Sequence, residues 1–372
     1  MNIPIVTDVF AFIMQMIMKL IGSDGGANFA LAILLFTLIV KLLLFPLQMK
    51  SKKGMMDQQR LQPQIKKLEK KYGANKQKYQ EEVSKLYKKE GVSLMGGCLP
   101  TLLTLVIVLG LYTVIYRPVT HLMNIEKNDG SILAISQDLI ELKDEGLYVV
   151  DGKTLADLTT EEEKAEFTKK VDNLFQVGNE KGFVAMVEAE SEKAVNQVKV
   201  ARLMYGNIDA LNEKLAAEKA EAEAAGTEYT APYSTEDFFE INFDLFGLDL
   251  GDQPSYRPIN VLIILPILSG VTSFLLSWVT QHYQKNVVPD DDKKKNPSGV
   301  STADSAAQTS KMMMYMMPIM SVVIGFALPA GITVYWILNN LFSMAQEPII
   351  QAISKKYWNK PVADEEEEPK LN

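Results

Sequence analysis

The sequence predicts an all-α polytopic membrane protein with five transmembrane helices, a cytoplasmic helical hairpin and a long, mostly helical external insertion. Three observations lead there. The 47% hydrophobic content is gathered into blocks, and several blocks reach the roughly 20 residues that a helix needs to cross a hydrocarbon core of about 30 Å. Charge is divided as sharply: residues 50–90 carry 13 Lys/Arg against 5 Asp/Glu, whereas residues 118–257 carry 13 against 29. Excess Lys and Arg mark cytoplasmic loops, so the net charge of -8 is a sum of opposed regions and the split is a topology signal. Finally, the single cysteine, Cys98, makes an intramolecular disulfide impossible and reads as a packing residue beside an apolar run.

Residues 1–22 read as an interfacial amphipathic helix. Asp8, Gln15 and Lys19 recur at spacings of seven and four, which puts them on one helical face with an apolar face opposite. A sixth spanning helix is the alternative for this segment. It lacks the positive leading segment and small-residue cleavage site of a removable signal peptide. The first span covers residues 30–48 and is broken only by Lys41. The basic segment 49–92 has helix-forming composition and a Gly73 that can turn it back on itself, giving the hairpin. The second span, 99–117, ends at Tyr116 and Arg117, an aromatic and a cation suited to the headgroup level.

Residues 118–257 form the extracytoplasmic acidic insertion. Within it Val184, Val187, Ala194, Val198, Ala201, Tyr205, Ile208 and Leu215 follow steps near three and four, which predicts an amphipathic helix that Gly206 can end early. Thr160 and Glu163 have capping-box spacing. Residues 213–228 are expected to be loosely ordered. The third span, 259–280, leads to a linker at 281–311. The fourth, 312–329, and the fifth, 330–353, are so closely joined that they must run antiparallel. The tail, 354–372, carries DEEEE at 364–368 and is expected to stay disordered in solvent. Five spans place the amino terminus outside and the carboxyl terminus in the cytoplasm, and the charge split agrees.

Four stretches of the chain resemble the YidC/Oxa/Alb family of membrane-protein insertases: TLIVKLLLFPLQMKSKKGMMDQQRLQPQIKKLEKKYG, KLYKKEGVSLMGGCLPTLL, FDLFGLDLGDQPSYRPINVLIILPILSGVTSF and KMMMYMMPIMSVVIGFALPAGITVYWILNNLFSMAQ. They occur in the family's order. The resemblance implies a five-helix core around a hydrophilic groove, open to the cytoplasm and to lipid and closed outside. It also implies client membrane proteins as substrates, action alone or beside the Sec translocon, and a bacterial plasma-membrane location. Several positions depart from the family pattern. The intramembrane cation is Lys41 where the family usually has Arg, Thr104 and Val106 stand where it often has Gln and Pro, and Leu276 and Ser277 follow Thr272, Ser273 and Phe274 where a Gln is often found. The external insertion is also much longer than the loop of related bacterial members.

Lys41 sits about 10 Å by helical rise from the cytoplasmic end of its span. It reads either as a snorkelling lysine or as a cation facing a wet cavity, where intramembrane charges are usually functional. Thr37, Thr104, Thr272, Ser273, Ser277, Trp336, Asn339 and Asn340 are the candidates to line the client-contacting groove with it. The Ser, Thr and Asn candidates also have a plainer reading, as hydrogen-bonding links between helices. Met312, Met313, Met314, Met316, Met317 and Met320 offer either a soft client surface or ordinary packing. The hairpin's lysines suit anionic lipid first, with the ribosome or client chains as further partners and no DNA. A small-solute transporter or channel using Lys41 as counter-ion is the rival function. It would be expected to show acidic or His relays within its spans, where only Glu347 is available. Phosphate-loop, HExxH and GxSxG motifs are missing, and His121 and His282 are predicted on opposite sides of the membrane. No enzyme chemistry, cofactor or metal site is therefore expected.

Overall fold

The computed structural model describes residues 4–22, 27–73, 75–92, 99–125, 130–175, 183–188, 195–257, 259–284, 316 and 318–357. It is mostly helical and divides into two compact units. Unit 1 comprises Met1–Phe36, Ile107–Leu262 and Leu328–Ile332; unit 2 comprises Thr37–Val106, Ile263–Ala327 and Thr333–Asn372.

In unit 1, α1 (Pro4–Ile21) buries Thr7, Ala11, Met14 and Met18 on one stripe. Its predicted polar face is partly satisfied by protein: Gln15 Nε2 donates to the Leu122 carbonyl at 3.1 Å, and Lys19 Nζ meets Asp237 at 2.8 Å. Asp8 is exposed, as is an apolar run of Val9, Phe12, Met16 and Leu20. A two-residue parallel pair joins β1 (Ala27–Asn28) to β2 (Ile241–Asn242), with Ala27 opposite Ile241. The antiparallel pair of β3 (Asp244–Leu245) and β4 (Leu248–Asp249) turns through Phe246 and Gly247, both at positive φ, as a two-residue hairpin demands.

The second long helix, α2 (Phe29–Tyr72), is continuous for 44 residues, through Pro46 and into the basic segment. The predicted first span and the first arm of the hairpin are thus one helix. After Gly73, Asn75 caps α3 (Lys76–Lys89) by accepting from the Lys78 N–H at 3.1 Å. Helix α4 (Leu99–Tyr116) is followed by the short α5 (Pro118–Leu122), which packs on α1.

The insertion is built on α6 (Ser131–Asp144), α7 (Glu161–Phe175), α8 (Phe183–Glu188), α9 (Gln197–Met204) and α10 (Ile208–Ala225). Helix α6 contacts α8, α9 and α10, and Ile132, Ile135, Leu139, Val198, Val200 and Leu211 form its core. The Thr160–Glu163 capping box is present, with reciprocal bonds of 3.1 and 3.2 Å, and it opens α7.

Gly206, at φ +75°, ends α9 early as its place in the pattern allowed, which leaves Tyr205 exposed where the period buried it. One expectation needs correction. The stretch 213–228, expected to be loose, continues α10 to a left-handed cap at Gly226. Its Ala, Glu and Lys residues are strong helix formers, and Tyr229 donates back to Glu218 at 3.0 Å.

In unit 2 the chain supplies α11 (Ile264–Gln284), α12 (Pro318–Ala327) and α13 (Ala330–Tyr357), along with most of α2. Among the described residues two helices are long and apolar enough to cross a bilayer, Phe29–Gly54 with 26 residues and Val261–Tyr283 with 23. Val106–Tyr116 and Pro318–Ala327 are apolar but shorter within those bounds. Helices α11 and α12 approach closely, because a Cβ on Gly325 would stand only 3.1 Å from Pro266. Only Leu328 and Pro329 separate α12 from α13.

Candidate functional site around Lys41

Lys41 lies on α2, one turn beyond the buried Thr37, so the two share a helix face. The lysine is 7% exposed and its Nζ donates to Ser343 Oγ on α13 at 2.6 Å. Ser343 gives its own proton to the Asn339 carbonyl at 2.8 Å, so the oxygen that Lys41 meets is an acceptor already oriented by its helix. Among the described residues no carboxylate stands within ion-pair distance of this ammonium, and one of its three donors is used. A buried cation with a neutral partner is an unusual arrangement, because burial of charge is ordinarily offset by pairing.

Farther along α2, Lys52 makes a 2.7 Å ion pair with Glu347 of α13, with side chains 12% and 6% exposed. Ser343 and Glu347 are one turn apart. Ser343 and Lys52 are not among the residues expected from the sequence, and Glu347 enters there only as the one acidic residue available for a transporter relay. A signal was available. Asn340, Ser343, Glu347 and Gln351 recur at steps of three and four in an otherwise apolar helix, which aligns them as a polar stripe.

The other predicted lining residues divide into two groups. Asn340, Thr272 and Ser273 come together: Asn340 Nδ2 donates to Ser273 Oγ at 2.9 Å and to Thr272 Oγ1 at 3.2 Å. Ser273 donates to Ser321 Oγ at 3.3 Å, and Ser321 bonds Ser269, which the reading had missed. All five are buried, so this is a polar seam fastening α11, α12 and α13. Ser277 turns back to the Ser273 carbonyl at 3.0 Å, within its own helix. Trp336, Asn339 and Thr104 are half-buried on α13 and α4.

Met316 and Met320 are about half exposed, while Met312, Met313, Met314 and Met317 lie outside the described residues. So do Cys98, the linker from residue 285 to 315 and the acidic tail from residue 358. His282 stacks on Trp278, with ring centroids 5.8 Å apart. Among the described residues no group of three His, Cys, Asp or Glu side chains could hold a metal ion.

Comparison with known proteins gives this geometry a context. The family described as 60Kd inner membrane protein matches residues 20–159 and 228–357, leaving out only the middle of the acidic insertion and the two ends. A membrane protein insertase YidC of Clostridium perfringens is 39% identical over 113 residues, covering 29% of this chain and 48% of that protein. One from Oleidesulfovibrio alaskensis is 46% identical over 95 residues, 26% of this chain and 18% of its own. Membrane protein insertase YidC 1 of Bacillus cereus is 30% identical over 128 residues, 34% of this chain and 40% of its own. The matched stretches thus span less than half the length of each of these relatives. With the family match reaching across both flanks of the insertion and through the helices that carry Lys41 and Ser343, the chain belongs to the 60Kd inner membrane protein family.

Proposed function

We propose that this chain is a membrane-protein insertase that moves short polar segments of client proteins across the bilayer and releases their apolar helices into lipid. The spans are the five read from the sequence, with the amino terminus outside and the carboxyl terminus in the cytoplasm. They enclose a hydrophilic groove in which Lys41 attracts acidic client groups. The observation that carries this reading is the buried ammonium of Lys41 facing a hydroxyl rather than a carboxylate. The insertase names of its relatives point the same way.

The chemistry follows from the magnitudes. Holding a lysine at the centre of a spanning helix costs about 2.5 to 3.5 kcal/mol. A client carboxylate about 4 Å from it gains on the order of 4 kcal/mol at an effective dielectric of 20. Among the described residues Ser343 holds one of the three donors of Lys41, and the other two are proposed to meet that carboxylate. Thr37, Thr104, Ser277, Trp336 and Asn339 complete the lining, while Thr272, Ser273 and Asn340 hold the groove wall together through their mutual hydrogen bonds. Burying a client helix then releases roughly 0.8 kcal/mol per methylene, which exceeds the cost of one short tail without nucleotide hydrolysis. Client membrane proteins are the substrates. The Sec translocon, the ribosome and anionic lipid are the expected partners, with the basic hairpin on the cytoplasmic side.

The test uses the full chain purified into proteoliposomes with a client whose external tail carries an aspartate. Lys41→Glu abolishes translocation of that tail while the protein remains folded by circular dichroism. Unchanged translocation by the variant would refute the assignment.

A further inference from the structure

The Lys52–Glu347 pair has no place in the mechanism so far, although it lies one turn from the proposed site. Lys41 and Lys52 are eleven residues apart on α2, which is about 16 Å of helix by rise, yet their partners Ser343 and Glu347 are four residues apart on α13, about 6 Å. The two lysine side chains therefore reach toward each other along α13. The only carboxylate among the described residues of α13 sits beside the hydroxyl that holds Lys41. Side chains four residues apart on a helix are direct neighbours, with Cβ atoms about 5 to 6 Å apart. Ser343 and Glu347 thus present a hydroxyl and a carboxylate to α2 from adjacent turns of one helix, one held by Lys41 and the other by Lys52.

We infer that Glu347 is an internal competitor for the client's acidic group, and that Lys52 sets the anion preference of the groove by keeping Glu347 away from Lys41. This rests on the insertase reading above. With Lys52 present the three charges sum to one positive, and Lys41 is left with a neutral partner. Without Lys52 the Glu347 carboxylate is buried and uncompensated, a costly state that capture of Lys41 would relieve. The groove would then be neutral and closed to acidic tails. Lys52 is thus a positioning residue that acts through Glu347. Ser343, one turn away, is the neutral placeholder that a client carboxylate can augment or displace.

A purely structural ion pair also predicts that losing one partner harms the protein, so the test reads client preference rather than yield. The full chain and its Lys52→Gln, Glu347→Gln and double Lys52→Gln/Glu347→Gln variants are reconstituted at equal protein content. Translocation is measured for two clients that differ only by Asp or Asn in the external tail, and the acidic-to-neutral ratio is compared. Lys52→Gln lowers the ratio by on the order of tenfold, because a carboxylate now competes at Lys41. The double variant restores it to within about twofold of the unsubstituted chain, and Glu347→Gln does not lower it, the opposing charge being gone in both. Equal ratios in all four proteins, or an equal fall with Glu347→Gln, would overturn the inference. Lys41→Glu run alongside separates the two levels: if it leaves the acidic client translocating, the insertase reading itself fails, whereas its loss together with a flat ratio for Lys52→Gln rejects only the role given to Lys52.

Discussion

Lys214 in unit 1 and Lys41 in unit 2 are both largely buried, and they are treated in opposite ways. Lys214 is 16% exposed at its side chain and is ringed by carboxylates, with Glu141 at 2.6 Å, Glu218 at 3.5 Å and Asp138 at 3.9 Å. Asp138 takes a further 2.6 Å hydrogen bond from the buried Tyr233 hydroxyl. The charge of Lys214 is thus answered on site, and the cluster reads as architecture. Lys41 has a hydroxyl partner, and among the described residues no carboxylate comes within ion-pair reach. The difference teaches that burial alone does not separate a structural cation from a candidate site. Under the proposed function, what separates them is burial with no carboxylate close by, because the client would then supply the anion.

The comparison can be broken most severely by supplying the missing counter-charge. Ser343→Asp gives Lys41 a resident partner and makes the site resemble the Lys214 cluster. Translocation of an acidic-tailed client should fall on the order of 100-fold in proteoliposomes, with no loss of thermal stability. A variant that keeps its translocation rate would show that the neutral partner is incidental.

Removing an answer from the Lys214 cluster sharpens the contrast. Tyr233→Phe strips the hydrogen bond from Asp138, whose pKa burial already pushes up, so its charged form loses a donor inside the fold. The expected cost is about 1.5 to 3 kcal/mol of stability in thermal unfolding of the detergent-solubilised chain, with client translocation kept.

The smallest effect is expected at Lys199, half-buried on α9. Burial, with repulsion from Arg202 second, pulls its pKa down to about 8. A cation depressed in the folded state contributes stability above its unfolded value near 10.5, and that contribution is lost as pH falls toward 8. Lys199→Met should therefore raise stability at neutral pH by about 1 kcal/mol, after allowance for solvent screening, and flatten the stability profile between these pH values. A profile that keeps its slope in the variant would remove Lys199 as the cause.

Much of this was written locally in the sequence. Apolar block length announced the long helices Phe29–Gly54 and Val261–Tyr283, and the spacing of Thr160 and Glu163 announced the cap of α7. Asn75 and Gly73 had the chemistry to separate α2 from α3. These features depend on residues a few positions apart, whose propensities and periods act before any distant contact forms. The family likeness belongs with them, because it rests on runs of adjacent residues.

The tertiary structure decided which partner each polar group received. Lys41 meets Ser343 across 302 positions of chain, and Asn340 meets Ser273 across 67. Nothing in the spacing around Lys41 distinguishes a hydroxyl partner from a carboxylate one, and nothing around Thr272 distinguishes a groove wall from a helix seam. At residues 184–215 the apolar period likewise left the packing partner open, and α9 and α10 each pack on α6. Periodicity states that a face will be buried. The identity of the neighbour, and so the electrostatic meaning of a buried charge, is set by long-range packing that no local pattern encodes.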